Sequence, residues 1–167
     1  MISKKIIAYL DKNKVKYDLV KHKKVFTAFD LSQTLKEKMQ KIAKTLLVKT
    51  DKKYVLVVLP AHYRLDMVKV KKFLKAKKAE LAPEQVMKKV FKVVPGAMTP
   101  FGSLHKAEVI LDKALIKAKD VLISAGSFTE SMRLKAKDLQ KLENATLADL
   151  GKMAEKKIIK VLKKKKK

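Results

Sequence analysis

The sequence contains no cysteine, and this absence excludes several classes of protein at once. Without cysteine there is no disulfide framework, no thiolate metal site and no cysteine nucleophile. Long apolar runs are missing as well, since the longest, YVLVVLPA at 54–61, is far too short to span a bilayer. The N-terminal stretch MISKKIIAYLDKNK has no continuous apolar segment of the signal-peptide type. We therefore expect a cytoplasmic protein with no membrane partner.

Acidic residues and arginines are also scarce. Sixteen Asp+Glu stand against 42 Lys+Arg, which leaves a formal net charge of +26. Such a balance favours a polyanionic partner, most often a nucleic acid. Arg64 and Arg133 are the only arginines, although arginine is preferred where phosphates or bases are held bidentately. The charge therefore predicts salt-sensitive attraction of polyanions rather than a surface shaped to read a nucleic-acid sequence.

Length and periodicity predict one folded domain over residues 1–150. The chain has 167 residues, of which 47% are apolar, and this is enough to fill a core. The mixture of hairpins and helices favours a mixed α/β, or α+β, domain. The strand at 54–59 is apolar on both faces, so we expect it to be central. Ile6, Ile7 and Leu10 predict an opening helix that ends around Asn13. Helical spacing also occurs at 28–36, 65–74, from Pro83 and at 137–142. Strand patterns occur at 15–20, 42–49, 54–59, 108–112, 120–126 and 131–134.

The segment 151–167 has a composition of its own. From Lys152 to Lys167 there are nine lysines and one acid, so this stretch carries +8 of the net charge. We predict an amphipathic helix with a lysine-rich end, whose apolar stripe docks on the core while its lysines are solvated. Binding to RNA phosphates or to anionic lipid is the alternative. The apolar positions at three- and four-residue steps are Leu147, Leu150, Ala154, Ile158 and Val161.

The usual signatures of catalysis are missing. His22, His62 and His105 are isolated in the sequence, and none has metal-ligand spacing with another histidine or an acid. A glycine-rich phosphate loop and a G-x-S-x-G nucleophile elbow are also absent. We therefore expect no metal and no cofactor, and each histidine alone is expected to be structural.

The few glycines and one lysine mark the candidate site. Gly96 and Gly102 bracket the irregular segment GAMTPFG, and Gly126 ends a predicted strand. A loop stiffened by Pro100 could offer free backbone amides to an anion or an oxyanion, although an ordinary tight connection explains the same pattern. Strand parity places Lys44 on one face with three aliphatic residues, so its ammonium either reaches out at the strand end or enters a pocket.

At these residues the sequence resembles the YbaK/prolyl-tRNA-synthetase-associated domain family, which comprises free-standing aminoacyl-tRNA deacylases and the related editing insertion of bacterial prolyl-tRNA synthetases. The likeness covers about residues 3–155, and six short pieces follow the family's order. These are FTAFD at 26–30, IAKTLLVKT at 42–50, GAMTPFG at 96–102, EVILD at 108–112, ISAGSFTESMRL at 123–134 and NATLADL at 144–150.

The resemblance implies a single domain built on a twisted, largely antiparallel sheet flanked by helices, and hydrolysis of the ester that joins a wrong, small amino acid to the 3′ end of tRNA. Lys44 matches the family's essential lysine, which holds the terminal phosphate or the aminoacyl group. Gly96 and Pro100 match the loop whose amides polarise the ester carbonyl, and no side-chain base is implied. The implied substrate-binding positions are Thr27, Ala97, Met98, Thr99, Phe101, Gly102, Gly126, Ser127 and Ser131.

Two departures from the family pattern bear on specificity. Ser131 stands where members acting on cysteinyl-tRNA carry an acid, and the turn after Gly126 reads S-F-T-E where many members have an Arg-Gly pair. The resemblance therefore leaves open which amino acid is removed and whether a synthetase is a partner. The alternative function is a non-catalytic RNA-binding or synthetase-associated module.

Removal of the lysine-rich tail tests what the charge does. We expect the truncated protein to bind tRNA with a flatter salt dependence, because fewer phosphates are neutralised, while hydrolysis at saturating tRNA is unchanged. Filter binding across a range of salt concentrations measures the slope. Loss of hydrolysis at saturating tRNA would show that the tail lysines belong to the site.

Overall fold

The computed structural model describes residues 2–94 and 97–153. Its helices are α1 (Lys4–Lys12), α2 (Ala28–Leu35), α3 (Met67–Leu74), α4 (Glu84–Lys89), α5 (Lys113–Lys117) and α6 (Ala136–Glu143), with 3-10 turns at Met39–Lys41 and Gly102–His105. Its strands are β1 (Tyr17–Lys21), β2 (Ala43–Thr50), β3 (Tyr54–Pro60), β4 (Tyr63–Leu65), β5 (Ala79–Leu81), β6 (Glu108–Asp112), β7 (Asp120–Ser124), β8 (Glu130–Lys135), β9 (Thr146–Ala148) and β10 (Gly151–Met153). None of the described helices has the length and apolar content needed to cross a membrane.

Side-chain caps fix where the helices begin. The Thr27 hydroxyl accepts a hydrogen bond from the Asp30 amide at 3.0 Å, and this bond starts α2. Asp66 caps α3 in the same way by accepting from the amides of Val68 and Lys69. The start of α2 brings Thr27 next to the strand that carries Lys44, and this proximity builds one wall of the site.

The main sheet has five strands in the order β5-β2-β3-β6-β9. β2 pairs antiparallel with β3 and β5, whereas β3, β6 and β9 run parallel. Residues 55–59 of β3 are fully buried, because apolar side chains cover both faces of the sheet. The prediction that this strand is central is therefore confirmed.

A second sheet of three antiparallel strands, in the order β1-β8-β7, packs beside the first. A parallel bridge between Ile42 and Leu122 joins the two sheets at the start of β2. A short pair formed by β4 and β10 completes the sheet structure of the described residues. The fold is a mixed α/β domain with mostly antiparallel pairings, as predicted.

The helix predicted from Leu147 onward is wrong over residues 147–153. Leu147 pairs with Leu111 in β9, and Gly151 pairs with Leu65 in β10, so both residues lie in strands rather than in a helix. The cause is the buried carboxylate of Asp112, which accepts hydrogen bonds from the amides of Leu150 and Gly151 and holds this segment extended. The rest of the predicted helix and tail lies outside the described residues.

A buried acid ties the 3-10 turn at Gly102–His105 to the terminal helices. One carboxylate oxygen of Glu143 accepts from both the amide and the hydroxyl of Ser103, and the other accepts from the Tyr9 hydroxyl at 2.6 Å. Burial and the bond to Glu143 raise the pKa of Tyr9 to about 12. Phe101, which is fully buried, packs edge-on against the Tyr9 ring. The loop that precedes the turn is therefore anchored at its C-terminal end.

Replacement of Gly102 tests how tightly this anchor is built. A Cβ added there would lie 2.3 Å from the Ala107 carbonyl oxygen, which is backbone and cannot move aside. We expect Gly102→Ala to lower the free energy of unfolding by about 1–3 kcal/mol. Gly151→Ala is the matched control, since its Cβ would first meet the Tyr63 ring, a side chain that can rotate. Equal losses in denaturant melts of the two variants would contradict the assignment.

Candidate functional site

A cavity of about 280 Å³ opens where the two sheets meet. Its walls come from β2, the segment before α2, the start of α2 and the turn between β7 and β8. Lys44 and His22 are the ionisable side chains in the lining, and none of the described residues that line it is acidic. The full lining consists of His22, Val25, Phe26, Thr27, Ala28, Leu31, Ile42, Ala43, Lys44, Thr45, Leu46, Leu47, Leu81, Ala82, Met87, Met98, Ser124, Ser127, Phe128 and Ser131.

The cavity exists because β2 is longer than its outer neighbour. β5 pairs only with residues 48–50 of β2, and the Ala82 amide closes this pairing on the Leu47 carbonyl at 2.9 Å. Along residues 43–47 the strand therefore has β3 on one side and the cavity on the other. Lys44 lies in this open stretch, opposite Leu59 of β3.

Lys44 carries the main charge of the site. Burial lowers the pKa of its ammonium below the ordinary lysine value. Within residues 2–94 and 97–153 its Nζ forms no hydrogen bond or ion pair. Its charge also acts on the imidazole of His62, whose pKa is lowered first by burial and then by Lys44, while Asp112 opposes the shift. An unpaired, partly desolvated cation next to an open cavity is a binding element for an anion or a polarised oxygen.

His22 and Ser131 form a hydrogen-bonded pair in the cavity wall. The Nε2 atom of His22 lies 2.8 Å from the Ser131 hydroxyl, and Nδ1 lies 2.7 Å from the Lys23 carbonyl oxygen. A carbonyl only accepts, so Nδ1 carries a proton, and in the neutral ring Nε2 accepts from Ser131. The sequence placed Ser131 in the site but not His22, because the pair depends on β1–β8 pairing across 109 residues.

The loop at 97–101 separates this cavity from a second one of about 290 Å³. Met98 lines the first cavity, whereas Ala97 and Thr99 line the second. Pro100 is buried in the loop and lines neither of the two. Gly96, predicted as catalytic, lies outside the described residues.

Some backbone amides of this loop donate hydrogen bonds within the described structure, and others do not. The Ala97 and Gly102 amides donate to the carbonyls of Val94 and Pro100, and the Phe101 amide donates to the Thr99 hydroxyl at 3.4 Å. The amides of Met98 and Thr99 donate no hydrogen bond to a described residue.

The remaining predicted residues divide between the two cavities. Thr27 and Ser127 line the first together with Lys44, and the Ser127 hydroxyl accepts from the amides of Thr129 and Glu130. Gly126 lines the second and has a φ of 87°, a conformation that favours glycine. Phe101 and Gly102 line neither of these cavities and support the loop from behind. The described residues contain no cluster of three or more acids and histidines that could hold a metal ion.

Comparisons with known proteins agree with this geometry. Residues 22–142 match the family model described as the aminoacyl-tRNA editing domain. The prolyl-tRNA editing protein ProX of Acetoanaerobium sticklandii is 28% identical over 146 residues, which cover 84% of this chain and 89% of that protein. A proline–tRNA ligase of Macrococcus caseolyticus is 27% identical over 101 residues, which cover 60% of this chain but 18% of the ligase.

Two solved structures share the fold. The hypothetical protein APE2540 superposes with a TM-score of 0.83 at 19% identity, covering 89% of this chain and 100% of that one. A candidate trans-editing enzyme for prolyl tRNA synthetase superposes with a TM-score of 0.78 at 21% identity, covering 91% and 99%. The resemblance stated from the sequence motifs is therefore confirmed, and so is the fold class.

Substitution of Lys44 should separate stability from function. Folding removes water from the charged Lys44 ammonium. At every pH below its lowered pKa, this loss of hydration reduces the free energy of unfolding. As the pH rises toward 10.5, the ordinary lysine pKa, the folded chain loses the Lys44 proton at a lower pH than the unfolded chain does. The desolvation cost of the charged group then disappears. We expect Lys44→Met to raise the melting temperature at pH 7 by roughly 2–4 °C, the shift that about 1 kcal/mol gives in a domain of this size.

The increase in melting temperature caused by Lys44→Met should become smaller as the pH approaches 10.5, the ordinary pKa of lysine. Lys49→Met is the matched control, because Lys49 lies on the same strand and is exposed. Thermal melts of both variants between pH 7 and pH 10 give the comparison. A melting temperature below that of the unmodified protein at pH 7 would mean that the Lys44 ammonium is stabilised by its surroundings.

Proposed function

The chain belongs to the aminoacyl-tRNA editing domain family, and we propose that it acts in trans as a deacylase on tRNA mischarged with a small amino acid. Membership in this family makes it a hydrolase of aminoacyl-tRNA. The observation that carries the proposal is the arrangement around Lys44: a partly buried ammonium that has no partner among the described residues, in a cavity whose described lining contains no acid. Such a site binds an electron-rich group, and the substrate offers both a phosphate and an ester carbonyl.

The size of the cavity favours a small aminoacyl group. Pockets for drug-sized ligands span roughly 300–1,000 Å³, and this cavity, at about 280 Å³, is slightly smaller than that range. The inner wall is aliphatic, with Leu31, Ile42 and Leu47 contributing. Synthetases discriminate small amino acids poorly, since one methylene is worth only about 1–3 kcal/mol, so these are the amino acids for which a second hydrolytic check is needed.

The loop amides support a mechanism without a side-chain base. Water adds to the ester carbonyl carbon, the carbonyl oxygen becomes an oxyanion, and the bond to the ribose oxygen then breaks as that oxygen takes up a proton. The Met98 amide has no described acceptor, and Met98 lines the cavity, so this amide is suited to stabilise the oxyanion. The Gly96 amide stays a predicted contributor.

Lys44 and the ribose supply the rest of the chemistry in this proposal. The ammonium holds the terminal phosphate or the aminoacyl carbonyl and so places the ester against the loop. The neighbouring ribose 2′-hydroxyl then positions the attacking water, as the family resemblance implies. An ester is labile enough for positioning and oxyanion stabilisation to be sufficient. The described lining contains no acidic residue, which is consistent with a mechanism that uses no side-chain base.

Ser131 and His22 are proposed to form the specificity wall. When Nε2 of His22 accepts the serine proton, the lone pairs of the Ser131 oxygen are left to accept from the substrate. Family members with an acid at this position carry a negative charge there, whereas this chain presents a neutral acceptor. We propose that the wall selects a small substrate through one neutral hydrogen bond rather than an ion pair.

A panel of mischarged tRNAs tests the function. We expect the purified protein to release at least one small amino acid from its tRNA, and Lys44→Ala to lower kcat/KM about 100-fold or more, because it removes the charge that holds the ester. Lys49→Ala, an exposed neighbour on β2, should retain full activity. Circular dichroism of both variants verifies that they are folded.

The panel also distinguishes the alternative function. If every mischarged tRNA stays intact while tRNA binding persists in Lys44→Ala, the protein is a non-catalytic RNA-binding module. If hydrolysis is equal in Lys44→Ala and the unmodified protein, the reaction does not depend on the cavity lysine and the proposed mechanism is wrong.

A further inference from the structure

Two phenylalanines stand together at the mouth of the cavity. The ring centroids of Phe26 and Phe128 lie 5.0 Å apart at an angle of 55°, and both side chains line the cavity. The Phe26 side chain is 57% exposed, although water contact is unfavourable for an aromatic ring. Phe128 supports it from behind and also lines the second cavity. Neither the proposed ester chemistry nor the core requires an exposed ring at this position.

Backbone hydrogen bonds hold the pair in place. The Val25 amide donates to the Phe128 carbonyl and the His22 amide donates to the Thr129 carbonyl, each at 2.9 Å. These bonds continue the β1–β8 pairing beyond the end of both strands. The two rings therefore sit on segments joined to each other, and a ligand would not have to order them.

The charge around the pair favours a nucleotide. The Lys24 ammonium lies 5.4 Å from the centroid of the Phe26 ring, within range of a cation–π contact. No acidic residue is found among the described residues that line the cavity. An aromatic face with a cation beside it matches a nucleobase with its phosphate, since every base has a π face and every linkage a negative charge. Leu81 is another exposed apolar residue of the lining, but it has no aromatic ring on which a base could stack.

We infer that Phe26, supported by Phe128, is the stacking platform for the 3′-terminal nucleobase of the tRNA, and that Lys24 contacts the adjoining phosphate. The inference rests on the proposed function, which places the ester beside Lys44. The terminal ribose is bonded directly to that ester, so its base must lie at the mouth of the same cavity. Phe26 is the exposed aromatic ring in the lining at this point.

A fluorescent base tests the inference without requiring hydrolysis. The probe is uncharged tRNA whose terminal adenine is replaced by 2-aminopurine, a base whose emission is quenched when it stacks. We expect quenching on binding to the unmodified protein and to Phe26→Trp, and no quenching with Phe26→Leu, which keeps apolar area but removes the ring. Phe73→Leu is the matched control, because Phe73 is 39% exposed on α3 and does not line the cavity.

Kinetics provide the second measurement. With a mischarged tRNA that the protein hydrolyses, we expect Phe26→Leu to raise KM about tenfold with little change in kcat, because stacking contributes equally to bound substrate and transition state. Unchanged quenching in Phe26→Leu, or no quenching with the unmodified protein, would overturn the inference even if hydrolysis is intact. Quenching that depends on Phe26 in a protein that hydrolyses nothing would retain the platform and reject the proposed deacylase.

Discussion

The placement of one ammonium group in a largely apolar cavity, whose described lining contains no acid, is the constraint on which the candidate site depends. A strand paired along both edges leaves no room for a cavity beside it, and a lysine at a solvated strand end would be indistinguishable from the other thirty-nine in the sequence. Lys44 avoids both because β5 pairs only with residues 48–50 and leaves the preceding stretch of β2 open. The short edge strand is thus what makes a binding site out of a sheet edge.

The same open edge explains why the other parts of the site come from distant segments. The second sheet meets β2 through the bridge between Ile42 and Leu122, and this contact brings the β7–β8 turn to the cavity. The loop at 97–101 reaches it from the opposite direction and is held by Glu143 through the turn that follows.

Sequence periodicity predicted the local elements and the position of Lys44, because strand parity and helix capping act over a few residues. The central strand at 54–59 and the Thr27 cap are examples. Periodicity failed where long-range pairing decides the outcome: Leu147 belongs to a strand because β6 offers it a partner. The His22–Ser131 pair and the open edge of β2 could not be predicted from the sequence for the same reason. Both depend on the register between strands that are far apart in the chain.

The distribution of the acids explains how a chain of net charge +26 keeps its key lysine unpaired. The described acids with identified partners serve the fold: Asp66 and Asp112 cap helices, and Glu143 binds the turn at Gly102–His105. Glu37, Glu108 and Asp149 pair with Arg133, Lys53 and Lys69 near the surface. An acid in the cavity would neutralise Lys44 and compete with the anionic substrate for it. Scarcity of acids therefore matters at the site more than abundance of lysines, because it leaves the Lys44 ammonium without an ion-pair partner among the described residues.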